Sequence, residues 1–313
     1  MGLLEGKAAV VTGSGKGLGR AYALALAKEG AAVVVNDIDV PSAEKTVAEI
    51  KASGGKAALS PDSVASWAGA ERIIETCVKA FGRIDCLVNN AGIMLKGTLW
   101  ELSEHDYEHT LSVHLKGTIG CSHFACRHMR QQHKGSIINI SSRASSGHPN
   151  SSLYSVAKAG ILGATYSWAQ ELAEYGIRVN AVFPDGMTPM VIDMQGPSAA
   201  RNAGMHPTLA NYHRSAAEAR IEMQHPPPET VAPIVVFLAT DDSSSINGQV
   251  LFLSGDTLAL VSHPTPIRVA YKRDGWSVQD LREYLLESVG SALHPVGFGK
   301  PTYDWYDGVR PTS

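Results

Sequence analysis

Lys7–Gly30, KAAVVTGSGKGLGRAYALALAKEG, is the stretch that decides the fold. Lys7 to Thr12 is a short apolar run, the pattern of a buried strand. It passes directly into Gly13-Ser-Gly-Lys-Gly-Leu-Gly19, and then into a helical run that stops at Gly30. Strand, glycine-rich turn and helix in succession form a phosphate-binding arrangement. Glycines let the backbone approach a pyrophosphate, and the helix N-terminus offers free N–H groups and a positive dipole end. The spacing is Gly13-x3-Gly17-x-Gly19, with Leu18 where G-x-G-x-x-G would place its third glycine. The candidate phosphate-side residues are Gly13, Ser14, Lys16, Gly17, Leu18 and Gly19; a plain turn is the alternative reading.

Working outward, AAVVVND reads as a second strand ending at Asp37. A carboxylate there can bind a ribose 2′-OH and repel a 2′-phosphate, which favours NAD over NADP. Lys16 pulls the other way, and Asp39 is the fallback acid. A helix over 42–53, with Ser42 as a plausible N-cap, leads to a strand, KAALS, and then to Asp62-Ser63, which could meet an adenine edge. Asp62 could equally cap a helix. A helix over 66–81 leads to the strand Ile84–Val88 and to Asn89-Asn90-Ala91-Gly92 at its carboxyl end. Strands alternating with helices argue an α/β, doubly wound parallel sheet with right-handed crossovers. Its ligands bind across the carboxyl ends of the strands, where these glycine and asparagine signals fall.

A long helix over 103–132 is expected next, opened by Ser103 and Asp106 as a capping box and carrying His114. The strand GSIINISS then delivers Ser141 and Ser142, and a helix over 152–174 delivers Tyr154 and Lys158. Positions i and i+4 share a helix face, and an ammonium beside a phenol lowers its pKa. Ser142 could hold the same alcohol oxygen, with Ser141 as the alternative. His114 is a secondary candidate in the flanking helix.

TGSGKGLG, Asp62, NNAG, ISS and YSVAK, in this order and spacing, resemble the short-chain dehydrogenase/reductase family over about residues 5–255. The resemblance implies a Rossmann-type fold and a nicotinamide cofactor. It implies Ser142 as the residue orienting the substrate oxygen, Tyr154 as general acid/base, and Lys158 as the ribose ligand that lowers the Tyr pKa. His114 stands where the family has a relay Asn, and Ser142 lies one residue closer to the Tyr than is usual. The family's Pro-Gly appears as Pro184-Asp185-Gly186, and Thr188, the nicotinamide-amide contact, comes one residue early. Stretches such as SVHLKG and VAPIVVFLAT resemble the (3R)-hydroxyacyl-CoA dehydrogenase unit of peroxisomal multifunctional enzymes and its bacterial stand-alone relatives. That implies an NAD-dependent secondary alcohol dehydrogenase acting on an acyl thioester or a cyclic or steroid-like alcohol, assembled as a homodimer or homotetramer. The rival is a dinucleotide-binding regulatory or scaffold subunit without catalysis.

The remaining features bound the answer. A domain over 1–257 is expected, with a Met-, Pro- and Gly-rich substrate lid over 187–228, the strand 248–255 as the last of the sheet, and an extension over 258–313. In the extension, Ser277 and Asp280 cap an amphipathic helix whose stripe is Val278, Leu281, Leu285 and Val289. The net charge of −3 gives no footprint for nucleic acid or an anionic membrane. The four cysteines form no CxxC pair, and His109 and His114 do not fall at metal-ligand spacing, so no metal is expected. No secretory signal or membrane span is read, which makes the cytoplasm the default location.

Overall fold

A computed structural model describes residues 2–148, 150–186, 226–266, 268–273 and 275–292. Residues 187–225, most of the lid expected over 187–228 and with it Thr188, lie outside the described residues, as do those from 293. The chain divides into two compact units, Met1–Val261 and Ser262–Ser313.

The first unit is an eight-stranded sheet flanked by helices. In chain order its elements begin with β1 (Ala8–Thr12), α1 (Gly17–Lys28), β2 (Ala32–Asn36), α2 (Val40–Ala52), β3 (Lys56–Ser60), α3 (Trp67–Phe81) and β4 (Cys86–Asn89). They continue with α4 (Glu104–Leu111), α5 (Gly117–Gln132), β5 (Gly135–Ile140), α6 (Ser152–Glu171), β6 (Ile177–Pro184), α7 (Ala232–Ala239), β7 (Val250–Ser254) and β8 (Thr257–Val261). The strand order is β3-β2-β1-β4-β5-β6-β7-β8. Every pairing from β3 to β7 is parallel, and β8 alone runs antiparallel, against β7.

Successive strand residues point to opposite faces, and both faces are covered, so the central strands are apolar throughout. Ala9 and Val11 of β1 join Tyr22 and Leu26 of α1 in one core layer. Ala8 and Val10 join Ile73 and Ile74 of α3 and Phe124 and Met129 of α5 in the other.

The structure corrects the sequence reading in three places. The helix expected over 103–132 is continuous but not uniformly α: Ser112–Lys116 is a π-helical segment joining α4 and α5. α2 begins at Val40, and Asp39 rather than Ser42 is its N-cap, accepting from the Ser42 backbone N–H; Pro41 is tolerated there because first-turn N–H groups have no helical partner. The sheet also does not end with 248–255, because Gly255 turns the chain back at φ +55° and β8 adds an antiparallel edge.

In the second unit, α8 (Val278–Tyr284) opens with the Ser277–Asp280 capping box. Leu281, Leu285 and Val289 line a small apolar pocket with Trp276, whereas Val278 is exposed.

Candidate active site

β1, β4 and β5 end side by side, and their following turns build the site. Gly13 takes φ +62°, and a Cβ on it would stand 2.8 Å from the Ala91 Cα. The turn after β1 is thereby packed on the turn after β4. Asn90 locks the two together, its Nδ2 donating to the Thr12 and Gly13 carbonyls at 2.9 Å each. Thr12, which sequence reasoning passed over, accepts on Oγ1 from the backbone N–H groups of Asn90 and Ala91 at 3.0 Å. The only signal was a hydroxyl residue closing β1 just before the glycines.

No side chain caps the first turn of α1 behind Lys16, so its backbone N–H groups are not claimed by a local cap. Ser14 is fully buried, and its hydroxyl donates to the Val11 carbonyl at 2.7 Å. Asp37 follows β2 with Oδ2 accepting from the Gly15 N–H at 2.9 Å. Lys16 is paired with Asp39, Nζ to Oδ2 at 3.1 Å, so its charge is balanced away from Asp37. The Asp62 carboxylate pairs with Arg72 at 2.6 Å, and Ser63 is exposed beside it. Pro184 ends β6, and Gly186 approaches Leu18, its Cβ position lying 3.5 Å from Leu18 Cδ2.

The catalytic candidates gather above β5. Ser142 opens a 3-10 turn over Arg143–Ser146, and its Oγ accepts from the Ala144 N–H at 3.2 Å. The same hydroxyl lies near enough to the Tyr154 phenol to pull its pKa down. Ser141, the alternative, instead turns its hydroxyl to the Lys158 carbonyl at 2.8 Å. Lys158 is only 4% exposed, and its Nζ donates to the Ile140 carbonyl at 2.6 Å while standing 5.5 Å from the Tyr154 ring centre.

His114 sits on the π-helical segment with no exposed surface. Its ring meets Tyr154 edge-on, centres 5.4 Å apart at 83°. Nε2 lies within hydrogen-bonding distance of both the Ile93 N–H (3.1 Å) and the Ile93 carbonyl (2.8 Å), and Nδ1 has no partner among the described residues. Gly92 leaves room for the ring, since a Cβ there would stand 2.6 Å from Cε1. The structure thus brings Ser142, Tyr154, Lys158 and His114 together, beside the Asn90–Gly92 turn.

Burial dominates the electrostatics. It holds the Tyr154 phenol above its usual range, and the nearby Ser142 hydroxyl opposes that. Burial brings Lys158 down to about 7. Burial and the nearby Lys158 charge bring His114 down to about 3, so its imidazole is neutral at ordinary pH. The sequence-based view that Lys158 simply acidifies the phenol is therefore incomplete: the ammonium is itself destabilised by the dry pocket. Among the described residues, no group of three or more His, Cys, Asp or Glu side chains is placed to hold a metal.

Comparison with known proteins agrees with this geometry. The short chain dehydrogenase family model matches residues 7–198. A hydroxy(phenyl)methylsuccinyl-CoA dehydrogenase subunit of Thauera aromatica is 38% identical over 80% of this chain and 96% of its own length. The peroxisomal hydratase-dehydrogenase-epimerase of Saccharomyces cerevisiae is 34% identical over 78% of this chain, which spans 25% of that larger protein. A crystal structure of a short chain dehydrogenase from Mycobacterium avium superimposes with a TM-score of 0.78 at 32% identity, covering 95% of this chain and 99% of the other. With the glycine-rich turn, the doubly wound sheet and the Tyr154–Lys158 pair in place, the chain belongs to the short-chain dehydrogenase/reductase family.

Proposed function

We propose that the protein interconverts a secondary alcohol and a ketone with NAD, and that Tyr154 is its general acid/base. The observation that carries the reading is the convergence of Ser142, Tyr154 and Lys158 at the carboxyl end of β5, next to the turns after β1 and β4.

The residues fit a dinucleotide. The uncapped N-terminus of α1 suits a pyrophosphate, with Gly13, Lys16, Gly17, Leu18 and Gly19 around it, while Ser14 is buried beneath the turn with its hydroxyl on the Val11 carbonyl. Among the described residues, Asp37 accepts from the neutral backbone N–H groups of Gly15 and Asp39, which leaves its charge to favour a ribose hydroxyl over a phosphate. In this reading Asp62 and Ser63 would serve the adenine side, Asn90, Ala91 and Gly92 the centre, and Pro184 and Gly186 the nicotinamide side, with Thr188, outside the described residues, assigned there by the family resemblance alone. When bound, the nicotinamide supplies the hydride acceptor or donor.

In the oxidising direction, Tyr154 removes the proton of the substrate hydroxyl. Ser142 holds the same oxygen and stabilises charge as the carbonyl forms. Lys158 serves as ribose ligand and, when protonated, favours the phenolate. The neutral His114 supports the Tyr154 ring and the Ile93 backbone. An acyl thioester of the 3-hydroxy class is the favoured substrate, in line with the CoA substrate in the name of the Thauera relative; cyclic and steroid-like alcohols are the second class. We further infer a homodimer or homotetramer and a cytoplasmic location; among the described residues, no helix is long and apolar enough to cross a membrane.

The test is NADH formation with 3-hydroxyacyl-CoA esters and cyclic alcohols. Tyr154→Phe should cut kcat/KM at least ~100-fold, the usual contribution of a positioned acid/base, while NADH binding persists. Near-full activity in that variant would sink the mechanism, and a preference for NADP would sink the assignment of Asp37.

A further inference from the structure

Ser142 is followed by an arginine, and the loop after β6 carries an aspartate between Pro184 and Gly186. These two charges meet. Arg143 Nη2 stands 3.2 Å from Asp185 Oδ2, and the guanidinium carbon lies 5.6 Å over the Phe252 ring of β7. Asp185 is 7% exposed; its N–H donates to the Leu253 carbonyl at 3.1 Å, and its Oδ2 accepts from Ser254 Oγ at 3.4 Å. The residue next to Ser142 is thereby tied to the ends of both β6 and β7.

A charged pair at such a place is costly to desolvate. Joining β6 to β7 does not call for ions, since their parallel ladder already does so. What the ladder does not hold is the 3-10 turn that carries Ser142. We propose that Arg143 and Asp185 form a positioning pair that holds this turn in register, keeping the Ser142 hydroxyl on the Tyr154 phenol. This rests on the assignment of Tyr154 as acid/base. Neither residue is a catalytic residue: Arg143 acts through the Ser142 backbone, and Asp185 acts through Arg143.

Electrostatics and positioning predict opposite signs in one variant. Removing the negative charge of Asp185 should by itself make a nearby phenol more acidic. Loosening Ser142 should make it less acidic, because the Ser142 hydroxyl opposes the effect of burial on Tyr154. The other groups facing the phenol, Lys158 and His114, are unchanged by the substitution.

The experiment compares wild type, Asp185→Asn, Arg143→Gln, the double variant and Tyr154→Phe. It measures kcat and KM against pH and titrates NADH binding by fluorescence. Each single variant should lose about tenfold in kcat, as a misplaced reacting group does, with KM and NADH affinity within about twofold. With alcohol oxidation followed, in Asp185→Asn the acidic limb of the kcat profile, where Tyr154 must lose its proton to act as base, should move to higher pH, and the double variant should be no worse than the singles. Unchanged kcat in both singles, or a limb moving to lower pH in Asp185→Asn, overturns the proposal. Arg143 is part-exposed, so Arg143→Gln keeps the test usable if Asp185→Asn fails to fold. An active Tyr154→Phe overturns the acid/base assignment instead, so the two failures are distinguishable.

Discussion

At the scale of single residues, His114 is the side chain with the sharpest consequence. A fully buried imidazole with its pKa near 3 binds a proton far more weakly than it does in the unfolded chain, where the ordinary value is 6.5. Between those values the unfolded chain takes up more protons, so the stability held above pH 6.5 is lost as the pH falls towards 3. Urea unfolding at pH 7 and pH 5 should show the wild type losing about 2 kcal/mol more than His114→Asn, from the 1.36 kcal/mol carried by each pH unit. Equal pH dependence in the two proteins would mean that His114 is hydrated. Its Nδ1, unpartnered among the described residues, also separates this histidine from a core residue that merely fills space, because a buried polar atom without a partner is rare.

At the scale of elements, the turn after β1 is the one least able to change. A Cβ on Gly19 would overlap the Gly13 carbonyl oxygen and stand 2.5 Å from Asn90 Nδ2. Neither neighbour can yield, since Asn90 is held by two carbonyls. Gly19→Ala should cost about 1–3 kcal/mol in thermal or urea unfolding, the usual price of overpacking, and weaken NADH binding; an unchanged protein would show that the turn can slide. This element was legible in the sequence because strand, glycines and helix are contiguous there. Ser142, Tyr154 and Lys158 were legible for the same reason, lying within one strand-to-helix connection. The π-helical segment at Ser112–Lys116 was not, because five residues with altered hydrogen bonding leave the helical pattern of α4 and α5 intact on either side. Nor was the Arg143–Asp185 pair: its members are 42 residues apart, and only the adjacency of β5, β6 and β7 brings them together. The Asp39 cap was missed because Ser42 carries an equally good capping side chain.

For the whole molecule, the division after Val261 makes a direct prediction. The first unit contains the complete sheet and every described candidate site residue. A chain ending at Val261 should fold cooperatively and bind NADH with the affinity of the full chain, measured by thermal unfolding and fluorescence titration. Loss of binding would assign residues 262–313 a part in the site.

The pairing of β1 with β4 reaches further. Ala9 lies opposite Cys86, so these two strands meet only after three helices and two other strands have been made between them. Local contacts such as α1 against β2 can form early, but this pairing closes a long loop and is slow for that reason. The two turns that Asn90 clasps belong to the late step. A ligand that binds only the closed sheet therefore favours the completed pairing by mass action.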